Sequence, residues 1–170
     1  MLTDFGCKYV IIGHSERRQF FAETDEGVNR KIGAAVAGGL APVMCVGESE
    51  SERDAEKTFS VLDKQVRMGL KDYFSENLQH LVIAYEPVWA IGTGLTATPE
   101  QAQETHAFIR GVLRDMSSEE VSQAIRIQYG GSMKPANAPD LLAQPDIDGG
   151  LIGGAALDAH SFIGIVKAAM

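Results

Sequence analysis

Glu86 ends the apolar run Leu81-Val82-Ile83-Ala84-Tyr85. It is followed at once by Pro87, by a loop holding the only tryptophan, Trp89, and by Gly92-Thr93-Gly94. Such a run reads as a buried parallel strand. A carboxylate at its end is poorly solvated on one side, which raises its pKa and makes it a stronger base. Pro87 fixes the direction in which the chain leaves. The loop beyond could fold over the carboxylate, hinged by proline at one end and Gly-Thr-Gly at the other. The alternative is a surface Glu before a floppy loop. Trp89 argues against it, because a disordered segment has little use for that side chain.

His14 stands at the end of a second apolar run, Tyr9-Val10-Ile11-Ile12-Gly13, and Ser15-Glu16-Arg17-Arg18 follow it. The run of charges reads either as a solvated face or as an ion-pair network that fixes the loop. A neutral imidazole that donates to a carbonyl oxygen is an electrophile, and a base such as Glu86 could then take a proton from the adjacent carbon. Two glycine turns suggest an anion. Tyr129-Gly130-Gly131-Ser132 and Leu151-Ile152-Gly153-Gly154-Ala155-Ala156 each end an apolar run with bare backbone. Backbone N–H groups on adjacent turns can cradle a phosphate.

These residues need a scaffold, and the pattern supplies one. Apolar runs near 8–13, 42–46, 81–85, 125–129 and 149–152 read as strands. Residues 15–23 read as a long loop. Thr24-Asp25-Glu26 opens a helix carrying Val28, Ile32, Ala35 and Val36, which Gly38-Gly39 stops. A charged helix carries Phe59, Leu62, Val66 and Leu70. Thr98-Pro99-Glu100-Gln101 caps another, with Ala102, Ile109, Val112, Leu113 and Met116 as its buried stripe. Asn137 is placed to cap a short helix with Leu141 and Leu142. A last helix holds Phe162, Ile165 and Val166. Strands that alternate with helices predict parallel βα units, in which function gathers at the carboxyl ends of the strands. The ends here are His14, Gly47-Glu48, Glu86, Gly130-Gly131-Ser132 and Gly153-Gly154.

Composition narrows the class. A chain of 170 residues predicts a single domain over 1–170. Its hydrophobic fraction of 45% and charged fraction of 22% are ordinary for a globular protein. A net charge of −8 argues against a nucleic-acid surface, while leaving room for a local anion site. No apolar run reaches the length of a membrane span, and the amino terminus does not read as a signal peptide. Cys7 and Cys45 form neither a disulfide framework nor a metal-ligand spacing, which fits a reducing cytoplasm.

Four stretches taken together carry a resemblance. They are Tyr9-Val10-Ile11-Ile12-Gly13-His14-Ser15-Glu16-Arg17-Arg18, Ala84-Tyr85-Glu86-Pro87-Val88-Trp89-Ala90-Ile91-Gly92-Thr93-Gly94, Tyr129-Gly130-Gly131-Ser132 and Leu151-Ile152-Gly153-Gly154-Ala155. In content and order the sequence resembles the triosephosphate isomerase family over essentially all of 1–170. The resemblance implies interconversion of dihydroxyacetone phosphate and glyceraldehyde 3-phosphate, without metal or cofactor, chemistry for which this family is itself an established example. It implies that Glu86 is the base, His14 the neutral electrophile and Glu16 its ordered acidic neighbour. Gly92, Ser132, Gly153 and Gly154 would hold the substrate phosphate. Residues 87–97 would form a lid that keeps water from the enediolate, and Cys45 would pack below Glu86 as a structural thiol.

The family builds eight βα units in about 250 residues, and five are legible here. The implied fold is therefore α/β, of TIM-barrel type and incomplete. The first three units, with the Asn-x-Lys strand and the interdigitating dimer loop, have no counterpart. Leu95 stands where Lys is usual, Ala156 where Ser is common and Met133 where Val is common. These three changes read as tolerable, whereas the missing units predict very weak or no turnover by this chain alone. They also predict a homo-oligomer joined through the exposed strand edges at 9–13 and 150–152. A phosphate-binding or assembly module without the chemistry is the alternative. Another phosphate-handling barrel would share the glycine turns but not the Glu-Pro-Val-Trp lid.

Overall fold

Five parallel strands lie side by side in sequence order: β1 (Tyr9–Ile12), β2 (Ala41–Val46), β3 (Val82–Tyr85), β4 (Arg126–Tyr129) and β5 (Gly149–Gly150). The computed structural model describes residues 1–73, 80–91 and 95–170. Among these, the helices are α1 (Ser15–Phe21), α2 (Asp25–Ala37), α3 (Glu50–Asp54), α4 (Thr58–Gly69), α5 (Pro99–Met116), α6 (Glu119–Ala124), α7 (Ala138–Leu142) and α8 (Ala159–Ala168). The register pairs Tyr9 with Ala41, Val43 with Val82, Val82 with Arg126 and Gln128 with Gly149. Parallel order with helical crossovers is the expected architecture, five units of a TIM barrel. No helix among the described residues is long and apolar enough to cross a membrane.

Strand alternation sorts the side chains into two layers. Met44, Val46, Ile83, Tyr85, Ile127 and Tyr129 face the helices and join the core with Val28 and Ile32 of α2, Leu62 and Val66 of α4, and Ile109 and Leu113 of α5. Val43, Cys45, Val82 and Ala84 form a separate small cluster on the other face. On that face β1 is open, with Tyr9 and Ile11 each 48% exposed. The expected caps hold α2 and α5. Thr24 Oγ1 accepts from Gly27 N, and Thr98 and Gln101 form a reciprocal capping box with Pro99 in the first turn.

Several local expectations are corrected. Residues 15–21 are helical rather than loop, because His14 caps them through its ring nitrogen. The charged helix is divided in two, since Ser49 and Glu52 form a capping box that starts α3 separately. α6 was not anticipated. Asn137 precedes α7, but its side chain does not cap it; Oδ1 accepts instead from Lys134 N. The fifth strand is confined to Gly149–Gly150. In α8 only Ile165 of the three apolar residues is buried, and Phe162 and Val166 are exposed.

Candidate active site

Glu86 is the first residue beyond β3, whose four residues are all buried. It is only 2% exposed. Its N–H donates to Val46 O at 2.8 Å, so its backbone continues the ladder with β2. By alternation its side chain shares the face of Ala84 and Cys45. Ser15 donates from its N–H to Glu86 Oε2 at 2.9 Å and from its hydroxyl to Oε1 at 3.1 Å. His14 Nε2 lies 3.0 Å from the same Oε1. Burial raises the pKa of Glu86, and it is opposed by His14, by both Ser15 donors and by the Cys45 thiol. The result is a carboxylate held ready in a poorly solvated place. Cys45 is pushed well above the usual thiol range by burial and by the Glu86 charge beside it, so it is unfit as a nucleophile.

His14 is held at a sharp bend. Gly13 has φ +78°, and a Cβ there would press on Val28 and on the Cys45 carbonyl. Arg18 secures this bend: Nε donates to Gly13 O at 2.9 Å, Nη2 to Cys45 O at 3.3 Å, and Nη1 pairs with Asp25 at 2.7 Å. Arg17 and Lys31 both pair with Glu23. The charge run is thus a network, as one of its two sequence readings held. His14 Nδ1 accepts from Glu16 N at 3.4 Å. An acceptor at Nδ1 assigns the ring proton to Nε2, the nitrogen that faces Glu86. Glu16 contributes that backbone N–H, and its side chain is exposed at the rim of the cleft.

A cleft of about 760 Å³ opens over these groups. His14, Glu16, Glu86, Ser132, Gly153 and Gly154 all line it. Gly130 lies so close to Glu86 that a Cβ there would stand 3.0 Å from Glu86 Cγ. Nothing lies within 4 Å of where a Cβ would sit on Gly153 or Gly154, so both present bare backbone to the cleft. The structure therefore brings together every predicted site residue that it describes. Gly92 lies outside the described residues, as do Thr93 and Gly94 of the hinge.

Glu48 was noted in the sequence only as an unusual strand end. It is fully buried. Its Oε1 accepts from Trp89 Nε1 at 2.9 Å, from Tyr85 OH at 3.1 Å and from Arg53 Nη1 at 3.1 Å. The Arg53 guanidinium also stacks 4.3 Å from the centre of the Trp89 ring. The loop that leaves β3, where Val88–Ala90 makes a 3-10 turn, is thus clamped to the end of β2. The signal was the Glu at a strand end together with one Trp, but their partnership exists only in the fold.

A buried carboxylate, an imidazole N–H and open glycine turns around one cleft can remove a proton next to a carbonyl in a small phosphorylated molecule. Comparison with known proteins agrees. The family model for triosephosphate isomerase matches residues 1–169. The chain belongs to the triosephosphate isomerase family. It is 60% identical over 169 residues to the triosephosphate isomerase of Chloroherpeton thalassium, covering 99% of this chain and 67% of that protein. It is 56% identical over 167 residues to that of Syntrophotalea carbinolica, covering 98% and 66%. With that of Endomicrobium trichonymphae the identity is 58% over 167 residues, covering 98% and 66%. The chain thus spans about two thirds of the length of these triosephosphate isomerases.

Proposed function

We propose that this chain carries the acid–base and phosphate-binding parts of a triose-phosphate isomerase that interconverts dihydroxyacetone phosphate and glyceraldehyde 3-phosphate. The observation that carries the reading is the meeting of Glu86 Oε1 with His14 Nε2 at 3.0 Å in a cleft that Ser132, Gly153 and Gly154 also line. In this reading a substrate carbonyl oxygen replaces Glu86 Oε1 as the acceptor of the Nε2 proton. The freed carboxylate takes the proton from the carbon beside that carbonyl. The C–H electron pair forms the carbon–carbon double bond of an enediolate, and the oxygen charge is stabilised by the imidazole. His14 moves the hydroxyl proton from the one oxygen to the former carbonyl oxygen, and Glu86 returns its proton to the neighbouring carbon, which completes the isomerisation. The phosphate is held by the glycine turns and Ser132, and Gly92 is assigned the same role from the family resemblance. Glu16 orders His14 through its N–H. Residues 87–97 close over the site to exclude water.

The reading extends to one domain over 1–170 that acts in the cytoplasm, a setting in which both cysteines, free here, stay reduced. It also includes association with further copies through β1, whose Tyr9 and Ile11 are half exposed.

The test is a coupled isomerase assay. The chain is assayed alone and together with a polypeptide matching the third of the Chloroherpeton thalassium relative that it does not span. Turnover in the mixture is expected, with a loss of about 10²–10⁴-fold in Glu86→Gln, the range of a general base. A stable, soluble mixture without turnover would sink the proposal.

A further inference from the structure

We propose that Gln65 is a positioning residue for Glu86 and that it acts through the backbone of Gly47. The inference rests on the isomerase reading above, in which Glu86 is the base. Gln65 lies on α4 beside Leu62 and Val66, which anchor that helix in the core. Its carboxamide reaches the end of β2 and pairs with both backbone groups of one residue. Gly47 N–H donates to Gln65 Oε1 at 2.8 Å, and Gln65 Nε2 donates to Gly47 O at 3.0 Å.

The direction of these bonds explains why a side chain is needed. Val46 O accepts from Glu86 N at 2.8 Å, and Glu48 O accepts from Val88 N at 3.2 Å. Backbone groups of successive strand residues point to opposite sides. The Gly47 groups therefore face away from β3, toward the side where β1 has already ended at Ile12. A primary amide offers the donor and acceptor of a peptide unit. Gln65 thus supplies the ladder bonds that a neighbouring strand would make.

Gly47 is also where β2 presses on the base. A Cβ there would stand 1.8 Å from Glu86 O and 2.7 Å from Glu86 C. The Gly47 backbone lies flat against the Glu86 carbonyl, and any drift of one is passed to the other. Glu86 is thereby held by its N–H on Val46, by this contact on Gly47 and by its side-chain bonds to Ser15. Gln65 is not among the described residues that line the cleft. Its influence on the chemistry passes through Gly47.

Gln65→Met keeps a side chain of similar length and removes both bonds. In the isomerase assay above, kcat is expected to fall about ten- to hundredfold, the scale of loss when a reacting group shifts by up to about 1 Å. KM should stay within about twofold, because the phosphate turns are untouched. The ¹³C resonance of the Glu86 carboxyl should titrate differently from wild type, a reading that needs no turnover. Gln65→Glu, which can accept from Gly47 N–H but sets a carboxylate against its carbonyl, should show the same pattern. Folded variants with wild-type kcat and an unmoved Glu86 titration would overturn the proposal. So would a loss of kcat that merely tracks the loss of folded protein, or the failure of both variants to fold. If the wild-type protein has no turnover and the variants still move the Glu86 titration, the isomerase reading falls and the positioning role stands.

Discussion

Ser15 is the side chain through which the strength of the base can be adjusted with least disturbance. Its hydroxyl and its N–H both donate to Glu86, and both favour the charged form. Burial acts the other way and is the largest influence, so the carboxyl titrates above its ordinary value of 4.5. The working form is the carboxylate. Activity must therefore fall as pH drops through that raised value. Ser15→Ala removes one stabilising donor and raises the pKa further. The acid limb of the kcat/KM profile should move to higher pH, and the rate well above it should change little. An acid limb that stays in place or moves down would contradict the assignment. Glu86, His14 and the glycine turns were legible in the sequence because each is marked locally, by a polar residue or a glycine pair at the end of an apolar run. Glu48 and Gln65 were not assigned. Their partners stand 41 residues away at Trp89 and 18 residues away at Gly47; the strand end marks Glu48 but not its partner, and nothing local marks Gln65.

Element boundaries were legible where caps and periodicity agree, as in α2 and α5, and obscure where they do not. α1 is a polar helix with only Ser15 buried, so no apolar period marks it. The run at 149–152 is apolar enough for a strand, yet only Gly149 and Gly150 pair in register with β4, and Leu151 adds one N–H bond to Tyr129 O at 3.0 Å. The stripe on α5 was read from its apolar members, although Thr105, His106 and Arg110 are buried beside them. Arg110 decides how β4 and β5 are placed. It donates to the carbonyls of Ser122 and Ile125 just before β4, at 2.8 and 3.1 Å. It also pairs with Asp146 at 2.6 Å and Asp148 at 2.7 Å just before β5. Asp148 in turn accepts from Ile127 N at 2.7 Å. Those strands carry both glycine turns. Arg110→Met should cost about 3 kcal/mol, the lower end for a broken buried pair, because the two aspartates keep partial access to water. The urea midpoint measures this. A change under 1 kcal/mol would show that the clamp does not hold these strands.

At the scale of the whole molecule, the inner face decides what the chain does in solution. The inner cluster is small, Val43, Cys45, Val82 and Ala84, and Tyr9 and Ile11 lie exposed next to it. β1 is also an edge of this sheet, and the unpaired N–H and C=O row of an edge strand is a template for pairing with another chain. Light scattering at high micromolar concentration should report an oligomer, and a clean monomer there would count against association through β1. Order in the sheet was legible because each βα unit is short and consecutive strands pair. How the open face is covered was not, because a covering partner leaves no local pattern in these residues. The same uncovered face bears on rate. An absent preorganised group commonly costs about 10²–10³-fold, so turnover by the chain alone should be far below that of the mixture with the unspanned third of its relative. The central claim is narrower: Glu86 takes a proton from carbon. Dihydroxyacetone phosphate is incubated with that mixture in D₂O, and deuterium at the carbon beside the carbonyl is followed by NMR. The account predicts incorporation that depends on Glu86 and is lost with Glu86→Gln. Equal incorporation by wild type and Glu86→Gln would contradict it.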